Sequence, residues 1–335
     1  MNFKELFEKV YDRADLTVAE SRDALLAMMN GDWETSQISA FLTALHMKGE
    51  IPDELAGFVL AMREQAVRVP VDDRRTLDTC GTGGDKKGSF NISTIAAFVL
   101  AGCGIPVAKH GNRASSSSCG SADLLEHLGI RCRLNPDEAA QAIDTIGFAF
   151  LFAPDYHPAT KSVAAIRKQL AVPTLFNLLG PLTNPAFPAA QLIGVYDGRA
   201  LPLMSAALQR MESSNRIILL HSSNGWDEAT LDADFTLYPT YDGPSTENAR
   251  AYGFGECAAE DLCGGSPAEN VKIAQLILEG QRGPKRDTVL LNAALAYTAF
   301  HAGASRQQAL AAVTESLDSG AARNVVSRLR ERFPK

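Results

Sequence analysis

At Thr76 the hydrophobic pattern of this 335-residue chain changes period, and no other feature constrains the fold as much. Before that point apolar residues recur only at helical spacing. Phe3, Leu6, Phe7 and Val10 make a first stripe. Thr17 and Glu20 form a capping-box pattern ahead of Leu25, Leu26 and Met29, and Gly31 ends the segment. Ile38, Phe41, Leu42 and Leu45 make a third stripe closed by Gly49, and Pro52 opens a fourth ahead of Leu55, Phe58, Val59 and Met62. Four short helices bury too little surface to stand alone and must pack on further chain.

After Thr76 short apolar strands alternate with helices. The pattern predicts strands over 76–80, 106–109, 131–134, 148–152, 192–196 and 217–221, with helices over 92–102, 121–128 and 137–146. Residues 158–179 read as helical again, and 231–256 as surface strands and loops. Helical stripes over 268–278 and 288–302 precede a final helix after Ser305. The expected fold class is α/β: a small all-helical N-terminal domain beside a larger, mostly parallel α/β domain. The boundaries expected are 1–70 for the helical domain, joined by helices from about 158–185, and 71–335 for the α/β domain.

Composition excludes several classes. Apolar residues make up 46% and charged residues 21%, enough to build a full core, so disorder is not expected. A net charge of −7 disfavours wrapping nucleic acid, so any bound anion needs a local site. The longest largely apolar stretch, 95–107, is interrupted by Gly102 and Gly104 and is too short to span a bilayer. The N-terminus has no continuous apolar core of the secretory kind. Six cysteines without C-x-x-C or zinc spacing read as free thiols in a reducing cytoplasm.

Four groups of residues can carry chemistry. Gly81-Thr82-Gly83-Gly84-Asp85 follows a strand, and Phe90-Asn91-Ile92-Ser93-Thr94 leads into a helix. Glycines there let the backbone approach a ligand, and the helix start, capped by Asn91 or Ser93, offers N–H groups to an anion. The run is neither a Walker loop nor a dinucleotide fingerprint, and taken alone a glycine turn is uninformative more often than not. Lys109-His110-Gly111-Asn112-Arg113-Ala114-Ser115-Ser116-Ser117-Ser118 also lies between a strand and a helix. Its cations and neutral hydroxyls suit a phosphorylated sugar, or else form a solvated serine loop. Two such loops after neighbouring strands favour the ligand, because open α/β sheets bind at the carboxyl ends of their strands. Asp227-Glu228 would hold Mg²⁺ beside a polyphosphate, or else lie solvated. Arg167 can clamp a carboxylate, although a surface helix arginine would look the same.

Together these stretches resemble the anthranilate phosphoribosyltransferase family over nearly the whole chain. The resemblance rests on Asp78–Asp85, Phe90–Thr94, Lys109–Arg113, Phe150–Pro154, Phe176–Pro185, Asp227-Glu228, Gly283–Asp287 and Leu290–Ala293. It implies Mg²⁺-dependent transfer of phosphoribose from phosphoribosyl pyrophosphate to the amine of anthranilate, in tryptophan biosynthesis, by a cytoplasmic homodimer assembled through the helical domain. It implies donor contacts from Gly81, Gly84, Asp85, Ser89, Asn91, Ile92, Ser93, Thr94, Lys109, His110, Gly111, Asn112, Arg113, Ala114, Ser115, Ser116, Ser117 and Ser121. It places anthranilate on Gly81, Asn112 and Arg167, and one or two magnesium ions on Ser93, Asp227 and Glu228. No nucleic acid or membrane partner is implied.

Two stretches depart from the family pattern: Lys86-Lys87 after Asp85, and Trp226 before Asp227. A pyrimidine-type nucleoside phosphorylase is the nearest rival, but its Lys-His-Ser-Thr-Gly-Gly loop is replaced here by Asp78–Asp85. A paralogue with a changed acceptor, or a purely regulatory binding protein, would tend to lose Arg167 or the acidic pair, and all three residues are present.

Overall fold

The capping signals act where the sequence puts them. In the computed structural model, which describes residues 2–72, 76–114, 118–211, 215–240 and 242–335, Thr17 and Glu20 close a capping box at the start of the second helix. Gly31 ends that helix at φ 81°, where a β-carbon would be strained. The four N-terminal helices are α1 (Phe3–Tyr11), α2 (Val18–Asn30), α3 (Thr35–Lys48) and α4 (Pro52–Glu64).

The chain divides into two units. The first comprises Met1–Arg68, Pro154–Pro185 and Pro202–Ser213. Helices α2 and α4 cross closely at Gly57, where a β-carbon would meet the Val18 carbonyl at 2.4 Å. Glu54, fully buried, accepts the Leu16 and Ile51 N–H groups and pairs with Lys48 at 3.0 Å, so its charge is answered from three sides. Phe58 meets Phe176 edge-on at 5.8 Å, which ties α4 to the later helical stretch of this unit. That stretch is not one helix: Pro158–Thr160 is a 3-10 turn, Lys161–Leu170 an α-helix and Phe176–Leu179 a single turn. The break falls after Leu170, where Ala171 takes φ 53° and Pro173 follows.

The second unit comprises Val69–Ala153, Ala186–Leu201 and Ser214–Lys335. Its sheet has seven strands: β1 (Leu77–Asp78), β2 (Val107–Gly111), β3 (Phe148–Phe152), β4 (Ala190–Gly194), β5 (Arg216–Ser222), β6 (Phe235–Pro239) and β7 (Ser245–Glu247). Their order is β3-β2-β1-β4-β5-β6-β7, with β1 to β5 parallel and β6 and β7 antiparallel. The expected mostly parallel α/β sheet is therefore present. Strand order reverses at β1: the chain runs outward through β2 to β3, then returns to place β4 on the other side of β1. Connections after β1 and β4 diverge at that point, and open α/β sheets bind their ligands outside the carboxyl ends of such strands. The helix Ile92–Gly102 packs on β2 and β3, and Pro284–Phe300 packs on β4 and β5.

Three expectations need correction, and one helix is added. Residues 131–134 form no strand; Arg131 donates its N–H to Phe333 and Ile130 bridges Pro334, because the C-terminal tail reaches this backbone. β1 has two residues rather than five. The segment after Ser305 is two helices, Arg306–Asp318 and Ala321–Arg332, parted at Gly320 with φ 80°. The helix Ala200–Arg210 is an addition, although Leu201, Met204, Ala207 and Leu208 carry its spacing. Among the described residues, no helix is long and apolar enough to cross a membrane.

Candidate active site

The site at the carboxyl ends of β1 and β4 is built from backbone first. After β1 the chain turns through Gly83 (φ 63°), Gly84 (φ 91°), Lys86 (φ 56°) and Gly88 (φ 70°). Thr82 locks this turn to the end of β4: its N–H donates to Gly194 at 2.8 Å, and its hydroxyl accepts the Tyr196 N–H at 3.2 Å. The Gly83 N–H donates to Asp227 Oδ2 at 3.0 Å. Gly81 and Gly194 lack side chains for a steric reason. A β-carbon on Gly81 would lie 2.9 Å from Asp227 Oδ2, and one on Gly194 only 1.6 Å from the Asp227 carbonyl oxygen. The first glycine loop thus wraps the acidic residue carried by the loop after β5.

Asp85, Asp227 and Glu228 each bring a carboxylate oxygen into one cluster, all within 4.8 Å of one another. Burial, and then the charge of Asp227, push Asp85 up to about 6. The same two causes, in the same order, hold Glu228 well above the ordinary carboxylate range. Asp85 Oδ2 and Glu228 Oε2 are buried without a hydrogen-bond partner. Three carboxylates crowded together, with two orphaned oxygens, concentrate negative charge that a cation would neutralise. An all-oxygen donor set fits a hard divalent ion such as Mg²⁺.

Lys109 links the second loop to this cluster. It is 1% exposed, and its ammonium donates to the Thr79 carbonyl at 2.7 Å and reaches Thr79 Oγ1 and Ser93 Oγ at 3.3 Å. Burial lowers its pKa, opposed by Asp78, Glu228 and Asp227. Ser93 sits in the first turn of the helix Ile92–Gly102, whose start no side chain caps. Asn91 occupies the cap position, but its amide donates to the Cys119 carbonyl at 3.1 Å and does not cap the helix, while the Ile92 N–H goes to the Phe90 carbonyl at 2.7 Å. Its own N–H is held by Asn270 at 3.2 Å. Ser89 bridges Cys263, and Ile92 and Thr94 are buried, with Thr94 Oγ1 donating to Ser121 at 2.9 Å.

The neck of the serine loop is held by one acid. Asp123 accepts the N–H groups of Ala114 and Gly120, both at 3.0 Å, and the Arg113 guanidinium at 2.9 Å. Arg113 also pairs with Glu126 at 2.6 Å and lies over Phe152, so its side chain braces the loop. Gly111 is pressed against Phe150, His110 donates its N–H to Asp78 at 3.2 Å, and Asn112 is exposed. Ser115, Ser116 and Ser117 lie outside the described residues.

The comparisons with known proteins agree along the chain. A family model described as "Glycosyl transferase family, a/b domain" matches residues 73–323, and one described as "Glycosyl transferase family, helical bundle domain" matches 4–66. Anthranilate phosphoribosyltransferase of Moorella thermoacetica is 46% identical over 326 residues, 95% of either chain. The chain belongs to the anthranilate phosphoribosyltransferase family. The crystal structure of the Thermus thermophilus anthranilate phosphoribosyltransferase matches with a TM-score of 0.93 at 39% identity, over 98% of each chain. That of the Saccharomyces cerevisiae anthranilate phosphoribosyltransferase in complex with PRPP and Mg matches with 0.91 at 26% identity, over 98% of this chain and 97% of that one.

Arg167 lies in the first unit, on the helix Lys161–Leu170. Its guanidinium stacks on Phe176 at 4.9 Å, burial lowers its pKa, and among the described residues no acid pairs with it. A half-buried, stacked guanidinium with no acidic partner among the described residues has the donor geometry to pair with a carboxylate. The departures from the anthranilate phosphoribosyltransferase pattern also find places. Lys87 lies along Gly225 with its Cε 3.6 Å from where a β-carbon would be, and Trp226 is 3% exposed. Trp226 therefore serves as a core anchor for the loop that carries Asp227.

Several residues that shape this site escape a reading of the sequence. The sequence marks Asp85 as a donor contact, not as a member of the acidic cluster. Gly194 carries a signal, since a glycine at the end of an apolar strand marks close backbone approach. Asn292 carries one too, as a lone amide within the apolar run Leu290–Ala294. Thr79 and Asp123 have none, because their roles depend on loop geometry.

Proposed function

We propose that Asp85, Asp227 and Glu228, with Ser93, hold Mg²⁺ against the diphosphate of phosphoribosyl pyrophosphate. The chain transfers phosphoribose from that donor to the amine of anthranilate and releases pyrophosphate, the transfer that belongs to tryptophan biosynthesis. The observation that carries the site is the acidic cluster with its two orphaned oxygens beside buried Lys109. When bound, Mg²⁺ supplies neutralisation of the charge that collects on the departing diphosphate.

The chain's own residues position and shield. Thr82 and Gly83 spend their N–H groups on Gly194 and Asp227, so within the turn Gly81–Gly88 it is Gly84 that offers an N–H to phosphate oxygens, together with Ser93 and Thr94 at the uncapped start of Ile92–Gly102. Lys109 adds a cation whose position is fixed by Thr79 and Ser93, so little reorganisation accompanies reaction. The C1–O bond breaks with its electron pair on pyrophosphate, the anthranilate nitrogen bonds C1, and the nitrogen loses a proton. An aromatic amine is neutral near pH 7, so no strong base is required and orientation is the main contribution. Gly84, His110, Gly111, Asn112, Ala114, Ser115, Ser116, Ser117 and Ser121 line the donor loops in this reading, and Arg113 holds their neck. Arg167 takes the anthranilate carboxylate in this reading.

The test is anthranilate fluorescence with purified protein. Decay that requires donor and Mg²⁺ and stops with chelator is expected; decay that persists in chelator would refute the metal reading. Arg167→Ala is expected to raise the KM for anthranilate at least about tenfold while the donor KM stays within about twofold, as loss of a charge-assisted pair predicts. Equal effects on both substrates would remove the assigned role.

A second copy of the chain is the proposed cover for the outer face of α1 and α3. Phe7, Val10, Tyr11, Ala44 and Met47 surround a hollow of about 470 Å³ there, with Tyr11 73% and Met47 72% exposed. Tyr11→Ser with Met47→Glu is expected to give a folded monomer by light scattering; a dimer that survives would move the interface elsewhere. The free thiols fit a cytoplasmic setting.

A further inference from the structure

Asp227 and Glu228 lie on a loop that leaves the sheet, where no neighbouring strand can pair with their backbone. The loop is nevertheless stitched at consecutive points. Ser222, fully buried, donates its hydroxyl to the Glu228 carbonyl at 2.6 Å, and its N–H to the Trp226 carbonyl at 3.1 Å. The next residue, Ala229, is held by one side chain. Asn292 Oδ1 accepts the Ala229 N–H at 3.0 Å, and Asn292 Nδ2 donates to the Ala229 carbonyl at 2.8 Å. The amide presents an acceptor and a donor as a strand edge would, and so substitutes for a missing strand. A further bond from Nδ2 to the Thr288 carbonyl at 2.9 Å fixes the amide's orientation. Asn292 is 3% exposed and stands on Pro284–Phe300, the helix packed on β4 and β5.

We propose that Asn292 is a positioning residue for the acidic cluster, setting where the Asp227 and Glu228 carboxylates stand and hence the affinity for the divalent cation. The inference rests on the reading of that cluster as the metal site. A buried asparagine could satisfy the Ala229 backbone with no consequence for the cluster. The arrangement argues otherwise: Ala229 adjoins Glu228, and the bonds to the Glu228 carbonyl and to both polar groups of Ala229 fix the Glu228 Cα, the point from which its carboxylate reaches the cluster. Groups that orient metal-binding side chains from behind commonly alter metal affinity about 10–100-fold when removed.

The experiment is Mn²⁺ binding to the full-length protein, read by the loss of the free-ion electron paramagnetic resonance signal with phosphoribosyl pyrophosphate present. Asn292→Ala is expected to weaken Mn²⁺ at least about tenfold, to restore activity when Mg²⁺ is raised, and to leave the anthranilate KM at saturating Mg²⁺ near the wild-type value. Asn292→Ser, which keeps a short donor and acceptor in place, carries the same test with a smaller expected shift where the alanine variant does not fold. A folded variant with unchanged Mn²⁺ affinity overturns the proposal, as does a parallel rise in Mn²⁺ dissociation constant and anthranilate KM. Glu228→Gln is measured alongside: unchanged Mn²⁺ binding there would instead overturn the metal reading itself.

Discussion

Glu228→Gln is expected to lower kcat/KM by about 10³-fold or more and, with no divalent cation present, to raise the thermal unfolding midpoint. The two effects oppose each other because one cluster causes both. A bound cation stabilises developing charge by several kcal/mol, and loss of a charged ligand forfeits most of that. Without the cation, Asp85, Asp227 and Glu228 repel one another in partial burial. Burial and Asp227 hold Glu228 well above its ordinary range, and Asp85 is pushed up to about 6. A carboxyl whose folded pKa is raised costs nothing below its unfolded pKa, near 4.5 for Glu and 3.8 for Asp. The cost grows as pH rises through the folded pKa, where the ionised form is forced on the native state alone.

The metal-free wild type should therefore lose stability between about pH 4 and pH 7. Glu228→Gln should lose less of it. The cluster is half-buried, so water screens part of the repulsion. A gain of about 2–4 °C at pH 8, corresponding to about 1 kcal/mol, is the expected scale. Differential scanning fluorimetry in chelator at pH 5 and pH 8 measures it. Equal midpoints at pH 8 would mean the carboxylates are not strained in the apo protein, and retained activity would remove Glu228 from the site.

What the sequence made legible follows from how local each signal is. The capping box at Thr17 and Glu20, and the apolar period of 92–102, are set by residues within a few positions, and both helices formed as expected. The loops at Gly81 and Lys109 were legible because glycines and cations after strands mark one end of a parallel sheet. Residues 131–134 misled because their alternation of Arg131 and Arg133 with Cys132 and Leu134 makes a strand only if another strand stands beside it, and here the C-terminal tail reaches that backbone. Asp85 was visible as a residue but not as a neighbour of Asp227, since the strand reversal that joins them spans more than a hundred positions. The brace from Arg113 to Asp123 and Glu126 was hidden for a related reason: charge identifies an arginine, but only the loop's path decides which anion it meets.

Gly194→Ala is the smallest substitution with a large expected consequence. The added β-carbon would fall 1.6 Å from the Asp227 carbonyl oxygen and 2.7 Å from its carbon. Both obstacles are backbone, so no side-chain rotation relieves them. Gly194 cannot retreat, because it pairs with Leu220 of β5 and its carbonyl accepts the Thr82 N–H at 2.8 Å. The loop bearing Asp227 must move instead, which separates Asp227 Oδ2 from the Gly83 N–H and spreads the acidic cluster. Overpacking of this kind costs about 1–3 kcal/mol of stability. Misplacing reacting groups by about 1 Å costs on the order of 10²-fold in rate, so activity should fall further than stability. Gly255→Ala, with nothing within 4 Å of its β-carbon, is the control for a glycine in the same unit. Circular dichroism melts and steady-state rates of the two variants decide the matter. If Gly194→Ala melts lower yet keeps wild-type kcat/KM at every Mg²⁺ concentration, the contact supports only the fold, and the position of Asp227 is not what the reaction depends on.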